Sequence, residues 1–404
     1  MSGDPLLRGT IDFVDVLVVL FKVGIAFGFL LVATMFMVWF ERKLISDMQN
    51  RIGPNVAGPW GILQTLADGL KFFFKEDLRP READSLVFRL APYLSVVTAF
   101  VAFAIVPVGG VFKDGDPTSG TVSLFGKETY LQVADPPMGI LLLLAASSIA
   151  VYGIMLAGWS SGSKYPLLGA VRASAQAISY EAALGMAVVA VVIAAGSLST
   201  HDIVAAQSGG YRSWYWFATG LIPFVVFFIA ATAELNRPPF DLVEAEQELV
   251  GGFHTEYSSI RFAMFFLAEF MNVITMSAIM VTLFFGGPAG PIFFGLDWLF
   301  PTLWFFGKVL VFLFVFVWFR ATLPRLRYDQ LMNLGWKVLI PVMLGWLLVY
   351  RAIVLWRDDK IDPIPTIIVG SIIAIVCTAL LTAAFSAGDR AFERENTPSD
   401  REGS

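Results

Sequence analysis

Between Ala233 and Tyr257 the stretch AELNRPPFDLVEAEQELVGGFHTEY gathers six carboxylates, Glu234, Asp241, Glu244, Glu246, Glu248 and Glu256, around one arginine, Arg237. Acids at this density attract protons and cations, and any that leave water bind a proton more readily. Asp241 with Glu244 three residues on has the form of an acidic capping box for a short helix stopped by Gly251-Gly252. Asp241, Glu244 and Glu248 would then line one side, either as a solvated surface or as the wall of a negatively lined vestibule. Glu181 and Glu269 fall inside apolar runs, the first about 20 Å from the start of its run and the second about 20 Å beyond Glu256 at 1.5 Å per residue, and Lys308 is central in another. Such a group costs about 2.5–3.5 kcal/mol at mid-bilayer and so faces protein or water rather than lipid. An ion pair between helices would account for any one of them. For Glu181 and Glu269 together, below a loop with still more acids, a proton path is the better account. Arg172, Gln176 and Tyr180 share a face of the helix that carries Glu181.

These groups must be positioned by a membrane bundle. The 404 residues are 57% hydrophobic and 15% charged, where soluble domains carry about 25% charged residues. The fold class expected is all-α, a polytopic transmembrane bundle of about nine spans near 14–40, 88–107, 137–158, 168–196, 215–234, 260–286, 300–319, 335–356 and 363–385. The expected division is an eight-helix core over 1–362, an added helix over 363–385 and a disordered polar tail over 386–404. Barrel strands would alternate over about ten residues, which these runs do not do. The first run lacks a basic leader and a small-residue cleavage pattern, so a retained helix is expected rather than a signal peptide. Cys377 is the sole cysteine and His201 and His254 the sole histidines, which leaves no disulfide, zinc or iron–sulfur framework. GTVSLFGKE only mimics a phosphate loop, since Glu128 stands where Ser or Thr would hold magnesium. Redox cofactors, where any are used, belong to partners. No 20–50-residue repeat and no inverted repeat is visible.

Basic residues concentrate in 41–87, 159–167, 235–259, 320–334 and the tail, so the acidic stretch is expected on the inner side. Loops 108–136 and 197–214 are expected outside, as ordinary surface connections. After the first span, Gly53-Pro54 and Gly58-Pro59 mark turns, and 60–75 reads as an amphipathic surface helix. Leu63, Leu66, Leu70 and Phe74 form its apolar face; Gln64, Asp68, Lys71 and Lys75 form the polar one.

ERKLISDMQNRIGPN, LADGLKFFFKED, LGAVRASAQAISYE, the acidic stretch and RATLPRLRYDQLMNLGWK together resemble the H subunit of NADH–quinone oxidoreductase, respiratory complex I, from about Val14 to Tyr350. The resemblance implies a subunit at the joint of membrane and peripheral arms that couples quinone reduction to proton translocation. It implies Trp39, Arg42, Ala67, Asp68 and Phe72 around quinone access, with Arg51 and Arg237 structuring the chamber. Glu181, Glu234, Glu244, Glu246, Glu248, Glu256 and Glu269 would form an acidic funnel, and Asp241 would fix its loop. Quinone would be the substrate, with FMN and iron–sulfur clusters held by partner subunits and no metal by this chain. The implied partners are the peripheral quinone-site subunits, small membrane subunits and the lipid of a bacterial plasma membrane; nucleic acid is not among them. The added helix and tail depart from the eight-helix core of that family. A secondary transporter or an energy-converting hydrogenase subunit is the alternative, but a transporter should show Gly/Pro-broken helices in matching halves of the chain.

Overall fold

A computed structural model describes residues 3–7, 11–113, 119–242, 249–292 and 295–357. In chain order the helices are α1 Phe13–Met48, α2 Gln64–Phe74, α3 Ser85–Phe103, α4 Gly139–Ser160, α5 Lys164–Ala195, α6 Thr200–Ala206, α7 Tyr215–Ala218 and α8 Leu221–Glu234. There follow α9 Ser259–Phe284, α10 Phe300–Thr322, α11 Tyr328–Asn333, a π-helical turn Leu334–Leu339 and α12 Ile340–Arg357. Among the described residues seven stretches are long and apolar enough to cross a bilayer: α1, α3, α4, α5, α9, α10 and the continuous run Tyr328–Trp356. The chain is therefore an all-α, multi-pass membrane bundle. Its strands among the described residues are one antiparallel hairpin, β1 Thr121–Leu124 with β2 Lys127–Tyr130.

Eight of the nine expected runs correspond to described helices; the ninth, 363–385, and the tail lie outside the described residues. The run 215–234 divides into α7 and α8 at Thr219-Gly220. Gly220 takes φ +82, and a Cβ there would meet the indole of Trp346, whose Nε1 donates to Thr219 O at 2.9 Å. A side chain would be strained at that backbone angle, so glycine permits the break.

α9 is the central helix: 72% of its most apolar window is buried, against 17% for α1, whose flanks are left for lipid. Around it, α5 presents a seam of buried alanines, Ala173, Ala177, Ala183, Ala187 and Ala190. Small residues let backbones approach, and that packing holds helices together where lipid removes the hydrophobic drive. Near the inner end of α5, Gly169 lies so close to Gly252 that an added Cβ would come within 2.8 Å of its Cα. This contact seats the 249–258 segment on the bundle, over Phe88, Phe253, Tyr257 and Phe265.

The two loops expected outside are more than surface connections. Thr129, Tyr130, Gln132 and Asp135 in the first and His201 in the second are buried, because the hairpin folds back onto the bundle. Tyr130 stacks on the His201 ring at 3.8 Å, and His201 Nε2 hydrogen-bonds with Ser119 O at 2.8 Å. Asp135 accepts from Ser199 Oγ at 2.7 Å, and burial raises its carboxyl above the ordinary range.

Candidate functional site: a buried charge chain at the inner end

The C-terminal ends of α1, α8 and α10 and the N-terminal end of α9 meet at one end of the bundle, the end expected to be inner. Immediately after α8, Asn236 adopts φ +51 and turns the chain so that Arg237 points back into the bundle. Gln176 of α5 pegs this turn: its Nε2 lies 2.7 Å from Ala233 O and 2.9 Å from Phe240 O. Four residues on, Tyr180 donates to Leu331 O at 2.9 Å and fixes the start of the last span. The motif RASAQAISYE thus places a hydrogen-bonding rail behind the acidic stretch.

Arg237 is the centre of the charge arrangement. Its side chain is 4% exposed; Nη1 donates to Glu41 Oε2 at 2.9 Å, Nε lies 3.3 Å from Glu269 Oε1, and the guanidinium lies 4.6 Å from the centre of the Phe270 ring. Glu41, 5% exposed, also pairs with Arg320 at the end of α10. The result is an alternating series, Arg320–Glu41–Arg237–Glu269, drawn from three helices and a loop. The acidic stretch is expected to clasp Arg237 itself. Among the described residues Arg237 pairs instead with Glu41 and Glu269, which come from helices on either side, because Asn236 turns the guanidinium inward.

Two spaces flank this series. One is a cavity of about 110 Å³ whose polar lining includes Glu234, Asn236, His254, Glu269 and Asn272 with Ser95, Thr98 and Ser147. It has room for several waters. Ser147 Oγ lies 3.2 Å from Glu181 Oε1, Ser148 also donates to that oxygen, and Glu234 is within electrostatic reach of both Ser147 and Glu181. Glu181, Glu234 and Glu269 are thereby brought to one locus from α5, α8 and α9. His254 approaches from the loop side, and burial lowers its imidazole to about 4. The second space, a cleft of about 580 Å³, is walled by Glu41, Arg42, Arg51 and Arg320 over Phe266 and Phe270.

The amphipathic helix α2 adjoins that cleft. Arg42 pairs with Asp68 at 2.7 Å, Gln64 bonds the other Asp68 oxygen at 3.2 Å, and Trp39 Nε1 donates to Trp60 O at 3.0 Å. Phe72 packs on Phe262 with ring centres 5.7 Å apart, and Ser259 Oγ lies 2.9 Å from Phe72 O, which fixes the helix end to α9. Leu63, Leu66, Leu70, Phe73 and Phe74 remain exposed, as does Ala67. That apolar face suits a lipid surface. Arg51 bonds its neighbour Gln49 at 2.8 Å while lining the cleft.

The other anticipated residues are placed differently. Asp241 is half-buried beyond Phe240, and Glu256 is half-buried in the turn before α9, outside the cavity lining. Glu244, Glu246 and Glu248 lie outside the described residues, as does most of the short helix expected there. Among the described residues Lys308 does not pair with a membrane carboxylate: its Nζ donates to Phe285 O, Gly287 O and Ala289 O at 2.7–2.9 Å. Glu41, Arg320 and Ser147 are absent from the residues that the sequence singles out. Glu41 carries the one usable signal, a carboxylate directly before Arg42 at the end of a span.

The family model of NADH dehydrogenase matches residues 21–351. The chain belongs to the NADH dehydrogenase family. Similar family members include the H subunit of the NADH-quinone oxidoreductase of Frankia alni, 51% identical over 98% of this chain and 86% of the relative. The corresponding protein of Frankia casuarinae is 50% identical over 98% of this chain and 85% of its own length. That of Streptomyces avermitilis is 47% identical over 85% of this chain and 75% of its own length. The match of the NADH dehydrogenase family runs from α1 to α12, so every element that carries the charge chain lies within it.

Proposed function

We propose that the chain works as the H-type membrane subunit of a proton-translocating NADH–quinone oxidoreductase, with quinone admitted beside α2 and its reduction coupled to protons through the buried carboxylates. The observation that carries this proposal is the charge series that runs from the cleft walled by Arg42 and Arg51 to the cavity lined by Glu234 and Glu269. The apolar floor of Phe266 and Phe270 suits a quinone ring or tail, and the arginines at the cleft rim stabilise negative charge that develops on reduction. In the cavity, Glu269 and Glu234 hold and release protons, with Ser147 as the step toward Glu181. Electrons would come from FMN and iron–sulfur clusters held by partner subunits of the peripheral arm. Small membrane subunits would take the protons onward.

Glu269→Gln tests this assignment. In fully assembled complexes it is expected to lower quinone-dependent NADH oxidation about tenfold and to reduce the proton gradient formed in inverted membrane vesicles. Normal turnover with a normal gradient would remove the carboxylate from the mechanism.

A further inference from the structure

We infer that Glu41 is a positioning residue for quinone reduction, holding Arg237 in a balance between two carboxylates so that charge arriving in the cleft is transmitted to Glu269. This rests on the function proposed above. The geometry is asymmetric: Arg237 makes a hydrogen bond to Glu41 at 2.9 Å but only a 3.3 Å ion-pair contact to Glu269. Its Nε and Nη2 have no hydrogen-bond partner among the described residues, although both are buried. A guanidinium with donors in reserve between two acids has two arrangements close in energy, one favouring each acid.

Glu41 decides between them because it is shared. On its other side stands Arg320, 38% exposed and part of the cleft wall, whereas Glu269 is 31% exposed and part of the cavity wall. Negative charge that forms in the cleft competes with Glu41 for Arg320. Glu41 then has one cation left and draws Arg237 toward itself, which releases Glu269 to take a proton from the cavity. The charged groups around the series are Arg42 and Arg51 in the cleft and Glu234 with His254 around the cavity. None of these needs to move for the transfer, since Arg237 already touches both acids.

The test compares Glu41→Gln, Glu269→Gln and the double variant in native membranes, with NADH oxidation measured using a short-chain quinone and then an artificial acceptor that draws electrons from the peripheral arm. Glu41→Gln is expected to lower the quinone kcat about tenfold with KM within about twofold of wild type, and artificial-acceptor activity is expected to persist. The double variant should be no slower than the slower single one, because Glu41 acts through Glu269. A raised KM with unchanged kcat, or losses that multiply, would make Glu41 a wall of the cleft and overturn the inference. Impaired Glu269→Gln beside wild-type Glu41→Gln would overturn this inference alone; wild-type Glu269→Gln would overturn the proposed function as well. Should Glu41→Gln not assemble, Glu41→Asp keeps the charge on a shorter arm and should lower kcat about threefold at constant KM. Wild-type kcat in Glu41→Asp would then overturn it.

Discussion

At the outer end of the bundle, Lys308 donates to three carbonyls just beyond α9 and lies 4.4 Å from the centre of the Trp214 ring, so every N–H of its ammonium has a partner. Lys22 is held by two side chains: Asp4 accepts from it at 2.7 Å, Thr129 at 2.8 Å, and the Thr129 hydroxyl bonds Asp4 in turn. At the inner end, by contrast, Arg237 keeps donors in reserve, and Glu234 Oε2 is buried without a hydrogen bond among the described residues. The two ends bury charge for different purposes. A saturated cation has one low-energy arrangement and anchors the helices it touches. An unsaturated one shared between acids costs more to bury and can rearrange, which is what a site that moves charge requires.

Arg237→Ala should damage the inner end most. Its removal leaves Glu41 and Glu269 facing each other without their shared cation, a loss of about 3–5 kcal/mol for a pair cut off from water. Loss of the assembled complex, or of quinone reduction within it, is expected on native electrophoresis with NADH oxidation in the same membranes. Arg237→Lys should assemble but reduce quinone more slowly, since one ammonium cannot reach both acids while covering Phe270. Wild-type rates in Arg237→Ala would reduce the inner series to a surface feature.

Lys308→Met should act on stability alone. Each carbonyl left without a donor costs about 1–3 kcal/mol, so the thermal midpoint of the purified complex should fall by several degrees while the quinone KM stays at the wild-type value. A quinone defect at unchanged stability would show that the outer anchor belongs to the mechanism and erase the contrast between the two ends.

How far the sequence anticipates these two ends differs for a physical reason. Apolar runs and helix periodicity are local, so α3, α4, α9 and α10 fall close to their expected bounds, α1 starts where expected but continues past 40 to Met48, and 60–75 becomes α2 over Gln64–Phe74. Partners of a charge are not local. Arg237 is 196 positions from Glu41, and nothing in AELNRPPFD indicates that Asn236 will turn the guanidinium away from the neighbouring acids. Lys308 illustrates the same blindness: its partners are backbone carbonyls, which every sequence contains everywhere. Depth in the membrane is legible for Glu181 and Glu269. The Ser147 and Ser148 hydroxyls that receive Glu181 are not, since serines in an apolar helix carry no pattern of their own.

A smaller effect is expected on α2. Ala67 is exposed on the helix whose Asp68 is clamped by Arg42, so a longer polar side chain there alters the approach to the cleft and leaves the charge series in place. Ala67→Gln should raise the apparent quinone KM about threefold with little change in kcat. Artificial-acceptor activity should be unaffected. Equal losses with quinone and artificial acceptor would mean misassembly and remove α2 from quinone access.

The smallest effect separates the ends by pH. His254 lines the inner cavity, and burial holds its imidazole at about 4, below the ordinary 6.5 of an unfolded histidine. As pH falls through 6.5 the unfolded chain takes up a proton that the folded one refuses, so stability declines from 6.5 down to about 4 and is complete above 6.5. The whole shift is worth at most about 3 kcal/mol, and local opening of the 249–258 segment would deliver only part of it. Hydrogen exchange of that segment in the solubilised complex should therefore quicken between pH 6.5 and 5, beyond the intrinsic chemistry, and His254→Asn should abolish the excess. The amides around Lys308 should show no such window, because its ammonium is held by backbone carbonyls. Persistence of the excess in His254→Asn would assign the acid lability to another group of the inner loop and leave His254 as packing against Phe253 and Phe262.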